Sequence, residues 1–449
     1  MNIVPVRRVR FLFWVFRELV VKYKRSLIVG FLAGLAVTTA LGQLLPLVSQ
    51  RTLSPIERIG IVGEFSPTSL PLFIQRKISS GLTSLGKDGS PQPSLAVSWE
   101  STDSGKLYTF HLRDDQKWHN GKQVSATDVN YNIRGVTFQA RDYQTLEAHI
   151  TTAYSPLPVL TSKPIFQPGL RGFGPYRVSG IRLKGDTVEY LKLVSVTNRE
   201  EPTLEYRFYR TEALAILAFQ RGDVDILTDM SSGKELSKWG RVTIAEHINE
   251  ARVVTLFFNL RKGALKEKSF RQALGYALPE LPGERAFSPI SRTSWAYTDN
   301  VKHYKSDPSQ AKKLFSASTI GTSSAQLTIA TFPSYLEVAQ TIASRWSSLG
   351  ISTAVKVTGS VAEDFDVLLS GQDLPPDPDQ YPFWHSTQTQ TNITGYTNVK
   401  IDKLLEDGRQ EIDLEKRKTI YADFQRRLVD DAPAIFLYYP KTYTIKRKK

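Results

Sequence analysis

Cysteine is absent from the 449 residues. The chain therefore gains no stability from disulfides and has no thiolate nucleophile, thiolate metal ligand or cysteine for acylation. Histidine is scarce as well: the six, at 111, 119, 149, 247, 303 and 385, include no close pair at metal-ligand spacing. No metal site is expected. A Gly-x-Ser-x-Gly elbow and a phosphate-cradling Gly-x-x-x-x-Gly-Lys loop are also missing. No catalytic residue and no cofactor is assigned, which leaves a hydrolase built from dispersed carboxylates as a minor alternative.

What is present describes a globular chain, with 41% hydrophobic and 23% charged residues. Its length exceeds one ordinary domain and predicts two to three lobes. The net charge of +14 is largely terminal. Residues 1–26 hold seven basic side chains against Glu18, a balance of +6, and the tail Lys446 to Lys449 adds +4. A nucleic-acid binder would carry its basic stripe on the folded body, so no nucleic acid is expected. Residues 27–48 contain no charged side chain. At about 1.5 Å per residue they reach about 33 Å, enough for a bilayer core. With the basic leader ahead of them they predict a single transmembrane anchor with the bulk of the chain outside. A cleaved signal peptide is the alternative.

The segment from Pro91 to Asn132 is the most specific. Tyr108, Phe110 and Leu112 alternate with Thr109, His111 and Arg113 as in a half-buried strand. Asn120-Gly121 is a turn, and Ser125 or Thr127 caps a following helix, with Asp128 near its positive end. The run Pro93 to Trp99, the strand Tyr108 to Arg113, the turn Trp118 to Gly121 and the helix start Ser125 to Val129 follow one another in an order that resembles solute-binding protein family 5, the peptide- and nickel-type receptors of ABC importers.

That resemblance implies an α/β, two-lobed periplasmic-binding-protein-like fold of type II with an enlarged first lobe, here after an N-terminal transmembrane helix. The expected layout is a basic leader 1–26, an anchor 27–48, a tether 49–56, lobe one 57–257 and lobe two 258–436. Residues 437–449 then return a strand to lobe one and end in a basic tail. Crossing strands near Val253 and Tyr439 would form the hinge. Gly172 to Arg177 and Arg221 to Ile226 match family turns. The subdomain about 80–168 reads as shortened, and the proline-rich stretch Pro156 to Pro168 implies little regular structure there. Helix-then-strand order recurs in the second half: Phe270, Ala273, Leu274, Ala277 and Leu278 share a helical face, as do Leu336, Ala339, Ala343 and Trp346, with an alternating strand after Gly350.

Phe365 to Leu369 reads as a buried strand, followed by a loop with four prolines and three aspartates. In α/β lobes ligands sit at the carboxyl ends of strands, where this loop begins. By resemblance Asp373, then Asp377, is the candidate partner for a peptide's amino group. Phe173, Trp295, Tyr297, Tyr381 and Trp384 are candidate walls, and Asn259 and Arg261 lie near the end of a crossing strand. The expected function is a membrane-anchored extracytoplasmic receptor, a monomer, that closes on a short peptide or other small solute and delivers it to an ABC permease. An orphan receptor serving sensing or secretion is the alternative.

Overall fold

The computed structural model describes residues 6–49, 55–198, 200–318, 326–361 and 365–448, with side chains in the N-terminal helices described for 13–26 and 28–40. The N-terminal unit consists of helices Val6–Lys22 and Lys24–Ser49, joined at Tyr23. The expected anchor lies within the second helix, but positions 27 and 41–48 fall outside the described side chains. The described part, 28–40, has a length of only about 20 Å. Among the described residues no helix is long and apolar enough to cross a membrane. The transmembrane helix is thus not borne out.

The body, Glu57–Thr197 with Thr203–Lys449, is one compact unit built on three principal sheets. A seven-stranded sheet has the spatial order Val242–Ile248, Lys441–Arg447, Ile226–Met230, Ile56–Val62, Thr203–Tyr209, Thr187–Ser195 and Tyr176–Lys184. A six-stranded sheet runs Glu284–Arg285, Ala434–Tyr439, Arg252–Phe258, Val367–Asp373, Gln326–Thr331 and Ser352–Val357. These are the centres of two lobes. The chain changes sheets at Asn249 to Ala251 and at Pro440, and the two passages touch: the Asn249 amide donates to the Pro440 carbonyl at 2.9 Å. Strands Arg252–Phe258 and Ala434–Tyr439, expected as the crossings themselves, lie wholly in the second sheet. The passages fall at the short segments outside them because a strand paired along its length cannot serve two sheets.

The second sheet is nearly all apolar where helices cover it. Helix Lys268–Tyr276 buries Phe270, Ala273 and Leu274, and helix Leu336–Ser347 buries Ala339, Ile342, Ala343 and Trp346. Trp346 also donates its Nε1–H to the Leu274 carbonyl at 3.1 Å, locking the two helices together. Trp384 lies between Phe257 and Phe436, and its short helix Tyr381–Trp384 packs against helix Val399–Gln410.

The subdomain in lobe one departs from expectation. Val136–Ala140 and Thr145–Ile150 form a hairpin that joins Ala96–Thr102 and Leu107–Leu112 in a four-stranded antiparallel sheet. Where a helix was expected after Ser125 there is only a turn, Ala126–Asp128, closed by a Ser125–Asp128 capping box. Trp118 is buried and donates to Asp128 at 3.2 Å. The glycines of Gly172-Phe173-Gly174 are required by close approach: a Cβ at either position would collide with the backbone of Ile78.

Candidate functional site

Strand Val367–Asp373 pairs along its whole length with Arg252–Phe258 on one side. On the other side, parallel pairing with Gln326–Thr331 stops at Thr331 opposite Leu369. Ser370 to Asp373 therefore run past their neighbour and leave a one-sided edge. The Leu369 carbonyl faces that side, where it accepts from the Thr331 hydroxyl at 3.2 Å. By the two-residue alternation of a strand, the main-chain groups of Gly371 and Asp373 face the same way.

Three side chains gather at this edge. Asp373 is bound by Arg252 through two bonds, 2.6 and 3.0 Å, and both remain open to solvent, at 75% and 44% exposure. Tyr335 covers Gly371 so closely that a Cβ there would strike its hydroxyl. Burial raises the Tyr335 phenol above its ordinary value, with the Arg252 charge opposing and the Asp373 charge adding. The hydrogen bonding that Arg252 donates to Asp373 holds its guanidinium above the usual value. A cation, an anion, a phenol and main-chain groups without a strand partner, the Gly371 carbonyl already accepting from the Ser370 hydroxyl at 3.3 Å, thus converge at the carboxyl ends of parallel strands, one residue from the passage at Ala251, whose carbonyl accepts from the Leu374 amide at 2.8 Å.

Asp373 is therefore at the end of a strand and not in the loop. Asp377 is corrected more sharply. It is buried and holds the equally buried Arg417 at 2.6 and 2.9 Å, so it is not free to meet a ligand. Burial pulls its carboxyl upward and the Arg417 charge opposes this; the Arg417 guanidinium, which burial alone would depress, is raised by the Asp377 charge. Asp379 likewise binds Arg409 at 2.8 Å. The acidic loop is an arginine clamp on the two last helices.

The remaining candidates scatter. Tyr381 is stacked on His385 at 4.0 Å and capped by Arg409 at 4.0 Å, and lines a 590 Å³ cavity between the subdomain and lobe two. Trp295 lines a 260 Å³ cavity with Trp99, Tyr108 and Arg417. Trp384 and Arg261 line a 910 Å³ cavity along one face of the second sheet. Phe173 packs edge-on against Trp118 at 5.3 Å, and Tyr297 bonds Asp299 at 3.3 Å. Asn259 is buried, donating to the Phe365 carbonyl at 2.9 Å and accepting from the Arg261 amide. None of these last three lines any of the three cavities. Arg252, Tyr335 and Gly371 were missed. Among the described residues no cluster of acidic or imidazole groups is arranged to hold a metal ion.

The model of the bacterial extracellular solute-binding proteins, family 5, matches residues 90–152 and 136–393. The chain belongs to this family. Among curated proteins it is 23% identical to the oligopeptide-binding protein AppA of Bacillus subtilis, over 86% of each chain, and 26% identical to the nickel-binding periplasmic protein of Escherichia coli, over 48% of this chain and 50% of that one. Solved structures share the fold. The ABC transporter substrate-binding protein CtaP of Listeria monocytogenes superposes with a TM-score of 0.75 at 22% identity, over 88% of this chain and 94% of the other. NikZ of Campylobacter jejuni, solved with Ni(L-His), gives 0.71 at 23% identity over the same shares.

Proposed function

We propose that this family 5 protein is the extracytoplasmic substrate-binding component of an ABC importer, capturing short peptides between its lobes and passing them to a permease. The observation that carries the reading is the free strand edge at Gly371 and Asp373 beside the Arg252–Asp373 pair. An extended peptide adds to such an edge through its main chain. Its amino group then meets Asp373, which still has acceptors to spare. The proposal assigns the protein no reaction. The oligopeptide-binding relative supports the ligand class, and the uncharged run 27–48 behind its basic leader supports a tether at the membrane.

Titration of free, N-acetylated and C-amidated tripeptides tests the reading. Free peptides should bind at least about tenfold more tightly than N-acetylated ones, a ratio worth about 1.4 kcal/mol, and Asp373→Asn should erase the difference. Equal binding of free and acetylated peptides by the wild type would remove Asp373 from the site.

A further inference from the structure

The N-terminal unit presents a surface that the peptide edge does not use. Helix Val6–Lys22 has 17 residues and is about 26 Å long, at the lower limit for a membrane span. Its sequence, however, holds five basic residues, Arg7, Arg8, Arg10, Arg17 and Lys22, against the one acid Glu18. Charges placed along its whole length exclude a span by this helix. Its apolar residues are nevertheless large and open to solvent: Phe13 is 72% exposed, Phe16 67% and Leu19 50%, and Val20 is exposed with them. Phe13, Phe16 and Val20 follow at steps of three and four, which sets them on one face, and Leu19 joins Phe16 across a step of three. Glu18 and Lys22, four apart, share the opposite face. Arg17 stands four residues from Phe13, at the rim of the apolar face. The cations continue past the helix end, since Lys24 and Arg25 follow Tyr23 and are exposed as well. Only then does the uncharged run 27–48 begin.

We infer that helix Val6–Lys22 lies flat on an anionic phospholipid bilayer, with Phe13, Phe16, Leu19 and Val20 in the boundary of the acyl chains and the basic residues among the phosphates. Charge complementarity points to this occupant. An apolar face alone accepts protein or lipid alike, but a face rimmed by Arg17 and followed by Lys24 and Arg25 is met on both counts by acyl chains under a layer of phosphates. Arg17 reaches that layer by laying its apolar stem along the rim. Trp14, exposed beside it, is of the residue type that settles at the headgroup level. The assignment rests on the membrane tether proposed above for the helix's place in the cell, while its surface chemistry stands on the residues of the helix itself.

Because the chain has no cysteine, a single introduced one carries a nitroxide label to a chosen position. The full chain, labelled through Phe16→Cys, Glu18→Cys or Leu35→Cys, is reconstituted with vesicles of phosphatidylcholine, with or without phosphatidylglycerol. Depth is read by power-saturation EPR against oxygen and a water-soluble nickel chelate. In the anionic vesicles the Phe16 label should lie about 5–10 Å into the boundary, and the Glu18 label should remain in water. The immersed fraction of the Phe16 label should fall in neutral vesicles, and equally in anionic ones when Arg17, Lys22, Lys24 and Arg25 are all replaced by Gln, at about fivefold in partition per cation removed. The Leu35 label reports the tether separately. A Leu35 label in water beside an immersed Phe16 label would sink the tether and leave the surface helix, whereas the reverse would sink the surface helix alone. Equal depth for the Phe16 and Glu18 labels, or a depth indifferent to lipid charge, would overturn the assignment. So would a Phe16 label shielded from both agents before vesicles are added, which would give the face to the folded body or to a second copy of the chain.

Discussion

Asp373 and Asp377 stand four residues apart and share a charge, a loop neighbourhood and an arginine partner each, yet they do opposite things. Asp373 and Arg252 pair in solvent, where such a bond contributes about 0–1 kcal/mol, so the pair is available to a ligand at small cost to the fold. Asp377 and Arg417 are both buried. Removing one member of a buried pair strands the other charge and costs about 3–5 kcal/mol. Asp377→Ala should accordingly lower the urea midpoint of the body markedly, whereas Asp373→Ala should barely move it; similar midpoints for the two variants would contradict this division. Asp430 gives a third case. Burial alone would raise its carboxyl, but Lys268 and Lys302, the latter at 2.9 Å, override this and hold it below the usual range. A depressed folded-state value means that its contribution is complete above the unfolded value and is lost as the pH falls through the folded one, below about pH 4. Asp430→Asn should therefore show a shallower acid limb of stability than the wild type. Identical limbs would show that the lysines leave this carboxyl unperturbed.

Elements with local causes were legible in the sequence, and elements set by register were not. The strand Leu107–Leu112 and the Trp118 turn follow from alternation and an Asn-Gly pair within ten residues. The hairpin Val136–Ala140 with Thr145–Ile150 has the same kind of local cause, since Leu146, Ala148 and Ile150 alternate. Arg252 could not be found that way. Its relation to Asp373 exists only because strand Arg252–Phe258 pairs antiparallel with Val367–Asp373 in a particular register. Arg417 is hidden in the same manner, forty positions from Asp377. The edge at Gly371 is likewise a product of unequal strand lengths, which no composition reveals. If that edge is the main-chain template for a peptide, N-methylation of the one peptide amide that faces it should weaken binding by up to about tenfold, the net worth of one lost hydrogen bond. A scan in which every singly methylated tripeptide keeps full affinity would remove strand addition from the mechanism.

At the scale of the molecule, among the described residues the chain passes between the two sheets at Asn249 to Ala251 and at Pro440, and passages of so few residues leave the lobes free to rotate about them. Contacts of the subdomain limit that freedom: the Trp295 amide donates to the Asp88 carbonyl at 3.1 Å, and a larger cluster forms at Ser155. The Ser155 amide and hydroxyl both donate to the Arg409 carbonyl, at 2.9 and 3.0 Å, and Tyr154 lies 5.3 Å from the Arg409 guanidinium. Asp379 fixes that guanidinium, and thereby the end of helix Val399–Gln410. The subdomain of lobe one is thus latched to lobe two by residues that touch no part of the Gly371 edge. A latch of this kind favours the closed arrangement before ligand arrives and lowers the ordering cost of binding. The variant Tyr154→Ala, Ser155→Pro removes the ring, the amide donor and the hydroxyl together. Without peptide it should show a larger radius of gyration by solution scattering than the wild type, and saturating peptide should bring both to the same compact value. Its peptide affinity should fall by the fraction of molecules that stand open, even though every residue of the proposed site is intact. An unchanged radius in the unliganded variant would show that this contact does not hold the lobes together about the two passages.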